Sequence, residues 1–380
     1  MRAEAGTIAQ RRAGSPPGGS SLCSRMTHMS KLWATLVAGS ALALGAAWAP
    51  TGAAQAQATV DSSAIRVFDV RANDGRREAA VVTAVAISAD GRWLAAGGDD
   101  HRVRIWNLAD GELAGELKSH ADWVRSIAFD PAGDRLASAG DDHAVFIWDA
   151  KTLKISRKLP EAAQVIYSIG FSPGGDLLAA AGFSETVRLY DARTGKTLKD
   201  LEGPSRDNRA LAISPDDHLL AVGGRQGRIR IWSLPEGEAL HDIQSDGSRI
   251  RCLAFSPDSK QLASGGDGRQ IHLWNAATGD EIGSLASRPG KTLALAYCGA
   301  GKLAAGGSDN LVRIWDVAAG AEELRLAGHA GSVSSLAFHA PSGLLASGSF
   351  DTSVRIWDLA GNGQGKVARQ AAKPQPAKKK

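Results

Sequence analysis

Three cysteines in 380 residues are too few for the disulfide framework that stabilises small secreted scaffolds. The chain also lacks a one-signed charge excess over its body. Its formal net charge is +4, but residues 1–57 carry +4 and residues 366–380 carry +6, which leaves −6 on the stretch between them. An acidic body with a basic end offers no continuous positive face to neutralise a phosphate backbone, so nucleic acid is not the expected partner. Signatures of catalysis are missing as well. Gly195-Lys196-Thr197 and Gly290-Lys291-Thr292 have Tyr190 and Leu285 where a phosphate-cradling loop needs its first glycine. No Gly-x-Ser-x-Gly elbow occurs, and the nine histidines show no paired metal-ligand spacing. Asp99-Asp100, Asp141-Asp142 and Asp216-Asp217 sit among turn residues and read as hairpin ends before they read as catalytic carboxylates. No enzymatic activity, cofactor or metal is expected.

What is present is 43% hydrophobic residues, 22% charged residues and 44 glycines, the composition of a globular, turn-rich protein. The uncharged stretch Leu32–Ala49, preceded by Lys31 and followed by Pro50, reads as an export signal. The small-x-small sites Ala54-Gln55-Ala56 and Ala56-Gln57-Ala58 put the mature start at Gln57 or Thr59. The competing reading is an uncleaved anchor, because the run approaches spanning length; glycine and serine inside it and the two cleavage sites favour removal. Met26 and Met29 each offer a start that gives a signal of ordinary proportions, so residues 1–25 are readable as an over-extended frame. Arg11-Arg12 lies too far ahead of the run for a twin-arginine signal, and Cys23 precedes the run where a lipid-attachment cysteine would follow it. A periplasmic or secreted location follows, with no stable membrane span once the signal is removed. The ending KVARQAAKPQPAKKK has no periodicity and reads as a solvated tail; weak contact with anionic lipid or cell-wall polymer is the alternative. The expected domains are residues 1–58 (extension and signal), 59–362 and 363–380 (disordered basic tail).

The body is a repeat. RIWN at Arg104–Asn107 recurs as FIWD, RLYD, RIWS, HLWN, RIWD and RIWD, anchored on Trp106, Trp148, Tyr190, Trp232, Trp274, Trp315 and Trp357 at spacings of 42, 42, 42, 42, 41 and 42 residues. Each copy holds an alternating run such as Ser126–Asp130, a turn, a run such as Arg135–Gly140, a second turn, the aromatic strand, and a weaker strand such as Glu112–His120. Period-two alternation between turn residues predicts four antiparallel strands joined by hairpins. One such sheet cannot bury both faces, whereas seven packed radially can. The anchors are expected to be core. Cys252 falls on an inner strand and Cys298 lies four places beyond the matching position one repeat later, so two buried, unpaired thiols are expected.

The unit resembles the WD40 repeat, with its Trp-Asp ending at Trp148-Asp149, Trp315-Asp316 and Trp357-Asp358, over roughly residues 64 to 360. The resemblance implies an all-β fold, a seven-bladed β-propeller of four-stranded antiparallel blades. It also implies a structural hydrogen-bonded set of histidine, serine, aspartate and tryptophan. His120, Ser138, Asp142, Trp148 and His329, Ser347, Asp351, Trp357 match it fully; Asp100 and Asp309 keep the aspartate, and Ser184, Gln226 and Gly268 replace it. The orphan strand Ala64–Val70 is expected to close the ring as the outer edge of the seventh sheet.

In WD40-like rings partners most often use the face at the approach to the innermost strand. Alignment carries this face onto Trp123, Arg125 and Asp141; Val165, Tyr167 and Phe183; Asp207, Arg209 and Arg225; Arg249, Arg251 and Asp267; Lys291, Leu293 and Ser308; and Ser332, Ser334 and Phe350. Trp123, Tyr167 and Phe183 form an aromatic zone beside a basic sector of Arg209, Arg225, Arg249, Arg251 and Lys291. Exposed aromatics and arginines are the side chains enriched at interface hot spots. The expectation is a non-catalytic, exported scaffold binding an acidic protein or peptide across units 3–6. Two alternatives stay open: that these side chains merely pack and solvate the rim, and that the ring is an exported enzyme or small-ligand binder with its site at the central channel.

Overall fold

The computed structural model describes residues 59–61, 64–70, 80–287, 290–299 and 301–360. The export segment, residues 1–25 and the basic tail read from the sequence lie outside these residues. Among the described residues there are twenty-nine strands and a single 3-10 turn, Arg225–Gly227. The strands form seven sheets, which we number as blades 1–7 in chain order. Blade 1 runs from its innermost strand Val82–Ile87 through Trp93–Gly98 and Val103–Asn107 to its outermost strand Leu113–Leu117. Blades 2–5 repeat this antiparallel meander. The seven blades and four-strand grammar agree with the sequence reading.

Why these residues make blades is visible in their burial. The second strand of each blade is small and apolar, as in Arg135–Gly140 and Leu177–Gly182, and is buried after its first residue. It is covered on both faces by neighbouring blades, so alternation collapses into a continuous buried run. The outermost strand has one covered face at most, and Lys154–Lys158 of blade 2 is exposed throughout. The anchors Trp106, Trp148, Tyr190, Trp232, Trp274, Trp315 and Trp357 are all 5% exposed or less. Cys252 and Cys298 are buried and free; burial pushes both thiols up, Cys298 to about 12, so neither forms a thiolate near neutral pH.

Blades 2 and 7 carry the complete polar set. Trp148 Nε1 donates to Ser138 Oγ at 2.8 Å, and His120 Nε2 and Nδ1 lie 2.8 Å from Ser138 Oγ and Asp142 Oδ2. Blade 7 repeats these distances with Trp357, Ser347, His329 and Asp351. One order of protons satisfies each chain: indole N–H to hydroxyl, hydroxyl to Nε2, Nδ1–H to carboxylate. Burial holds the His329 pKa below its ordinary value, against the pull of Asp351. A histidine depressed in the folded state takes up its proton more readily when unfolded, so its contribution is complete above about pH 6.5 and is lost as pH falls through the folded pKa. The thermal midpoint is therefore expected to fall between pH 7.5 and pH 5, and to fall less in His329→Gln; equal slopes in the two proteins would contradict this account.

Closure uses two N-terminal strands. Arg66–Asp69 pairs antiparallel with Ser353–Asp358 and supplies the fourth strand of blade 7, as expected from the orphan run. Phe68 is buried there with its ring 5.4 Å from that of Trp106. The second closing strand is a finding: Thr59–Asp61 lies parallel to Ala321–Leu326 and gives blade 6 a fifth strand. Three residues carry too little pattern to announce a strand. Arg66 also reaches past its own blade, donating from Nη1 to the Leu108 carbonyl at 2.7 Å.

Candidate functional site

In every blade the innermost strand meets its neighbour through a register shift that leaves one residue unpaired. The seven are Thr83, Arg125, Tyr167, Arg209, Arg251, Leu293 and Ser334. A bulge bends the strand and re-aims the extra side chain. These residues line a cavity of about 170 Å³ bounded by the innermost strands of all seven blades, which places it on the ring axis. Its remaining wall includes Val85, Ile127, Leu211, Leu253, Leu295 and Leu336, an apolar collar two residues further along the same strands. Thr83 and Ser334 turn their hydroxyls to the carbonyls of Gly97 and Gly348, at 3.1 and 3.2 Å, and so serve the ring. The long side chains Arg125, Tyr167, Arg209 and Arg251 are left to define the cavity's chemistry.

A second device builds the rim around them. In blades 2–7 the residue following the second strand donates its N–H back to the segment before the bulge: Asp141 to Trp123, Phe183 to Val165, Arg225 to Asp207, Asp267 to Arg249, Ser308 to Lys291 and Phe350 to Ser332, at 2.9–3.1 Å. This clamp sets the residues singled out by alignment side by side. It needs a glycine just before it in blades 2 and 5, because a Cβ on Gly140 or Gly266 would stand 1.9 Å from the carbonyl oxygen of Trp123 or Arg249.

The geometry shows how the charges are spent. Arg125 forks onto Asp141, with Nε 2.8 Å from Oδ1, and its guanidinium carbon lies 4.4 Å from the centre of the Trp123 ring. Arg209 lies 4.2 Å from the centre of the Tyr167 ring, donates from Nη2 to the Tyr167 hydroxyl at 3.3 Å and from Nε to Asp207 at 2.8 Å. Asp207 is buried and also holds Arg249, Nη2 to Oδ2, at 3.1 Å. Arg251 forks onto Asp267 at 2.6 and 3.3 Å, and Lys291 approaches the same carboxylate at 3.5 Å. Burial works against ionisation of Asp267, but Arg251 and Lys291 outweigh it and hold the carboxyl below its usual range. The rim cations thus form a lattice in which Arg125, Arg209, Arg249, Arg251 and Lys291 share the carboxylates of Asp141, Asp207 and Asp267, with residual positive charge. Cations stacked on aromatic faces and fixed by forked pairs are pre-organised and lose little entropy on binding.

The structure joins Trp123 with Arg125, Tyr167 with Arg209 and Arg249, and Arg251 with Lys291. Phe183, Arg225 and Phe350 stand on the same rim outside that lattice; Phe183 and Phe350 are 48% and 45% exposed, and Arg225 is exposed with no ion pair among the described residues. Sequence reasoning missed the carboxylates' role and the bulges. Superposing position 83 on its equivalents would have shown one large or polar residue per unit interrupting a β-run, the available sign of a bulge. Among the described residues no group of histidine, cysteine, aspartate and glutamate is arranged to hold a metal. The family model described as "WD domain, G-beta repeat" matches residues 71–107, 111–149, 154–191, 195–233, 237–275, 280–316 and 320–358. No curated protein matches the chain.

Proposed function

Since the chain belongs to the WD40 repeat family, whose propellers are typically non-catalytic scaffolds for protein interaction, we propose that it is an exported platform that binds an acidic protein or peptide on the rim of blades 3–6. The observation that supports this most directly is the convergence of Arg125, Arg209 and Arg251 with Tyr167 at the axial cavity. An acidic side chain entering there meets donors already oriented, while exposed Phe183, Arg225 and Lys291 cover its flanks. Export rests on the apolar run and its cleavage sites; removal after Ala58 would leave Thr59–Asp61 and Arg66–Asp69 to close the ring. N-terminal sequencing of protein from the envelope or medium should read from Gln57 or Thr59, and a start ahead of Leu32 would overturn export with cleavage.

The binding face is tested without disturbing the buried Asp207, whose partners Arg209 and Arg249 cannot be removed without stranding its charge. In Arg225→Glu/Lys291→Glu, capture of the wild-type partner from the envelope fraction should fall at least tenfold at an unchanged thermal midpoint. Undiminished capture would exclude this sector. A second reading, a small anion seated in the channel, draws on the same convergence of arginines; it predicts that a dicarboxylate such as succinate competes with the captured partner.

A further inference from the structure

Blade 3 has a cavity where blades 2 and 7 have their polar sets. At the four corresponding positions it carries Ala162 for the histidine, Ala180 for the serine, Ser184 for the aspartate and Tyr190 for the tryptophan. All four line a cavity of about 100 Å³. An imidazole and an indole have been replaced by a methyl group and a phenol, and the neighbouring chain has not collapsed into the space, although protein interiors are normally filled to crystal density. The opening is bordered by Ala163 and Gln164, both exposed, on the segment that leads to Val165 and Tyr167.

The polar atoms of this cavity share one character. Tyr190 is buried, with the Arg188 guanidinium beside its phenol. Burial raises its pKa, so the phenol keeps its proton and has it to donate. Ser184 Oγ accepts the Thr186 backbone N–H at 3.1 Å, which leaves the serine proton free to donate as well. The charge of Arg188 is already met by Asp200, held at 2.7 and 2.9 Å. The site therefore combines alanine walls, two hydroxyl donors and no net charge, so an ionised ligand would lose its hydration without gaining a counter-charge.

We propose that the blade-3 cavity is a binding site for a small uncharged group presenting a carbonyl oxygen, of the carboxamide class, carried by a free molecule or by an asparagine or glutamine side chain of a partner. A cavity of 150 Å³ takes a benzene ring, so 100 Å³ suits about four or five non-hydrogen atoms. The inference is independent of the acidic-partner reading, because it uses none of the rim cations.

The test is a titration of the isotope-labelled, full-length protein, following backbone amide signals. Propionamide should produce saturable shifts confined to residues 162–166 and 180–190. Tyr190→Phe, which keeps the ring and removes the donor, should weaken binding at least tenfold, and the refilled variant Ala162→His/Ala180→Ser/Ser184→Asp/Tyr190→Trp should abolish it. N-acetylglutamine methylamide distinguishes the sources: the same shifts identify a partner side chain, and their absence beside propionamide binding identifies a free molecule. No saturable shift with either probe overturns the proposal, as does equal binding to the refilled variant; propionate binding more tightly than propionamide overturns its uncharged character.

Discussion

Removal of residues 59–72 is expected to lower the thermal midpoint by roughly 10 °C or more, at about 2–4 °C per kcal/mol for a domain near this size. The segment supplies the outer strand of blade 7 and the parallel strand on blade 6. Its Phe68 is buried against Trp106, and loss of a buried phenylalanine alone costs about 3–5 kcal/mol. Without it Ser353–Asp358 also becomes an unprotected edge, open to pairing with another chain. Scanning calorimetry of the truncated protein checks the effect, and light scattering checks the exposed edge. A midpoint equal to that of the intact chain would mean that the ring is held by its innermost strands alone.

Trp357→Ala is expected to cost about 3–5 kcal/mol in denaturant unfolding. The indole is 1% exposed and its N–H is bonded to Ser347, the first link of the chain through His329 to Asp351. Trp315 offers an internal control. It is also buried, at 5% exposed in blade 6, but Ala305 stands where the serine would be, and its Nε1 has no partner. Replacement by alanine at 315 should cost a similar amount, since the lost apolar surface is similar. Replacement by phenylalanine should separate the two, costing more at 357 by about 1 kcal/mol, the net worth of one hydrogen bond. Equal phenylalanine penalties would show that the polar set of blade 7 adds nothing beyond filling space.

The ring was legible because its signal is periodic. Seven aromatic anchors at one spacing fix the number of blades, and alternation beside turn residues fixes the strands within each. The complete polar sets of blades 2 and 7 were legible for the same reason: their four members keep fixed offsets. The chemistry of the rim was only half legible. Alignment put Arg209, Arg249 and Asp207 on one face, but whether Asp207 neutralises both arginines depends on where two side chains of adjacent blades reach, and no spacing within one repeat encodes that. The bulges at Arg125, Tyr167, Arg209 and Arg251 were hidden because one extra residue shifts the alternation of a six-residue strand by a single step, which reads as irregularity until the repeats are superposed. The blade-3 cavity was written in Ala162, Ala180 and Ser184, yet their small size reads as simple degeneracy until the space around them is known.

The join between Arg66–Asp69 and Ser353–Asp358 has a consequence for synthesis. The closing strand leaves the ribosome nearly three hundred residues before its partner, and at about 5–20 residues per second it waits on the order of 15–60 s with no edge to pair with. Every blade between can form from local contacts, yet none of that progress seals the circle. A chain that stops short of Asp358 keeps both its first strand and its last sheet unsatisfied, and presents them to proteases and chaperones. Completeness of the chain is thereby checked by the fold itself, since a strand made before any blade is among the last to be secured.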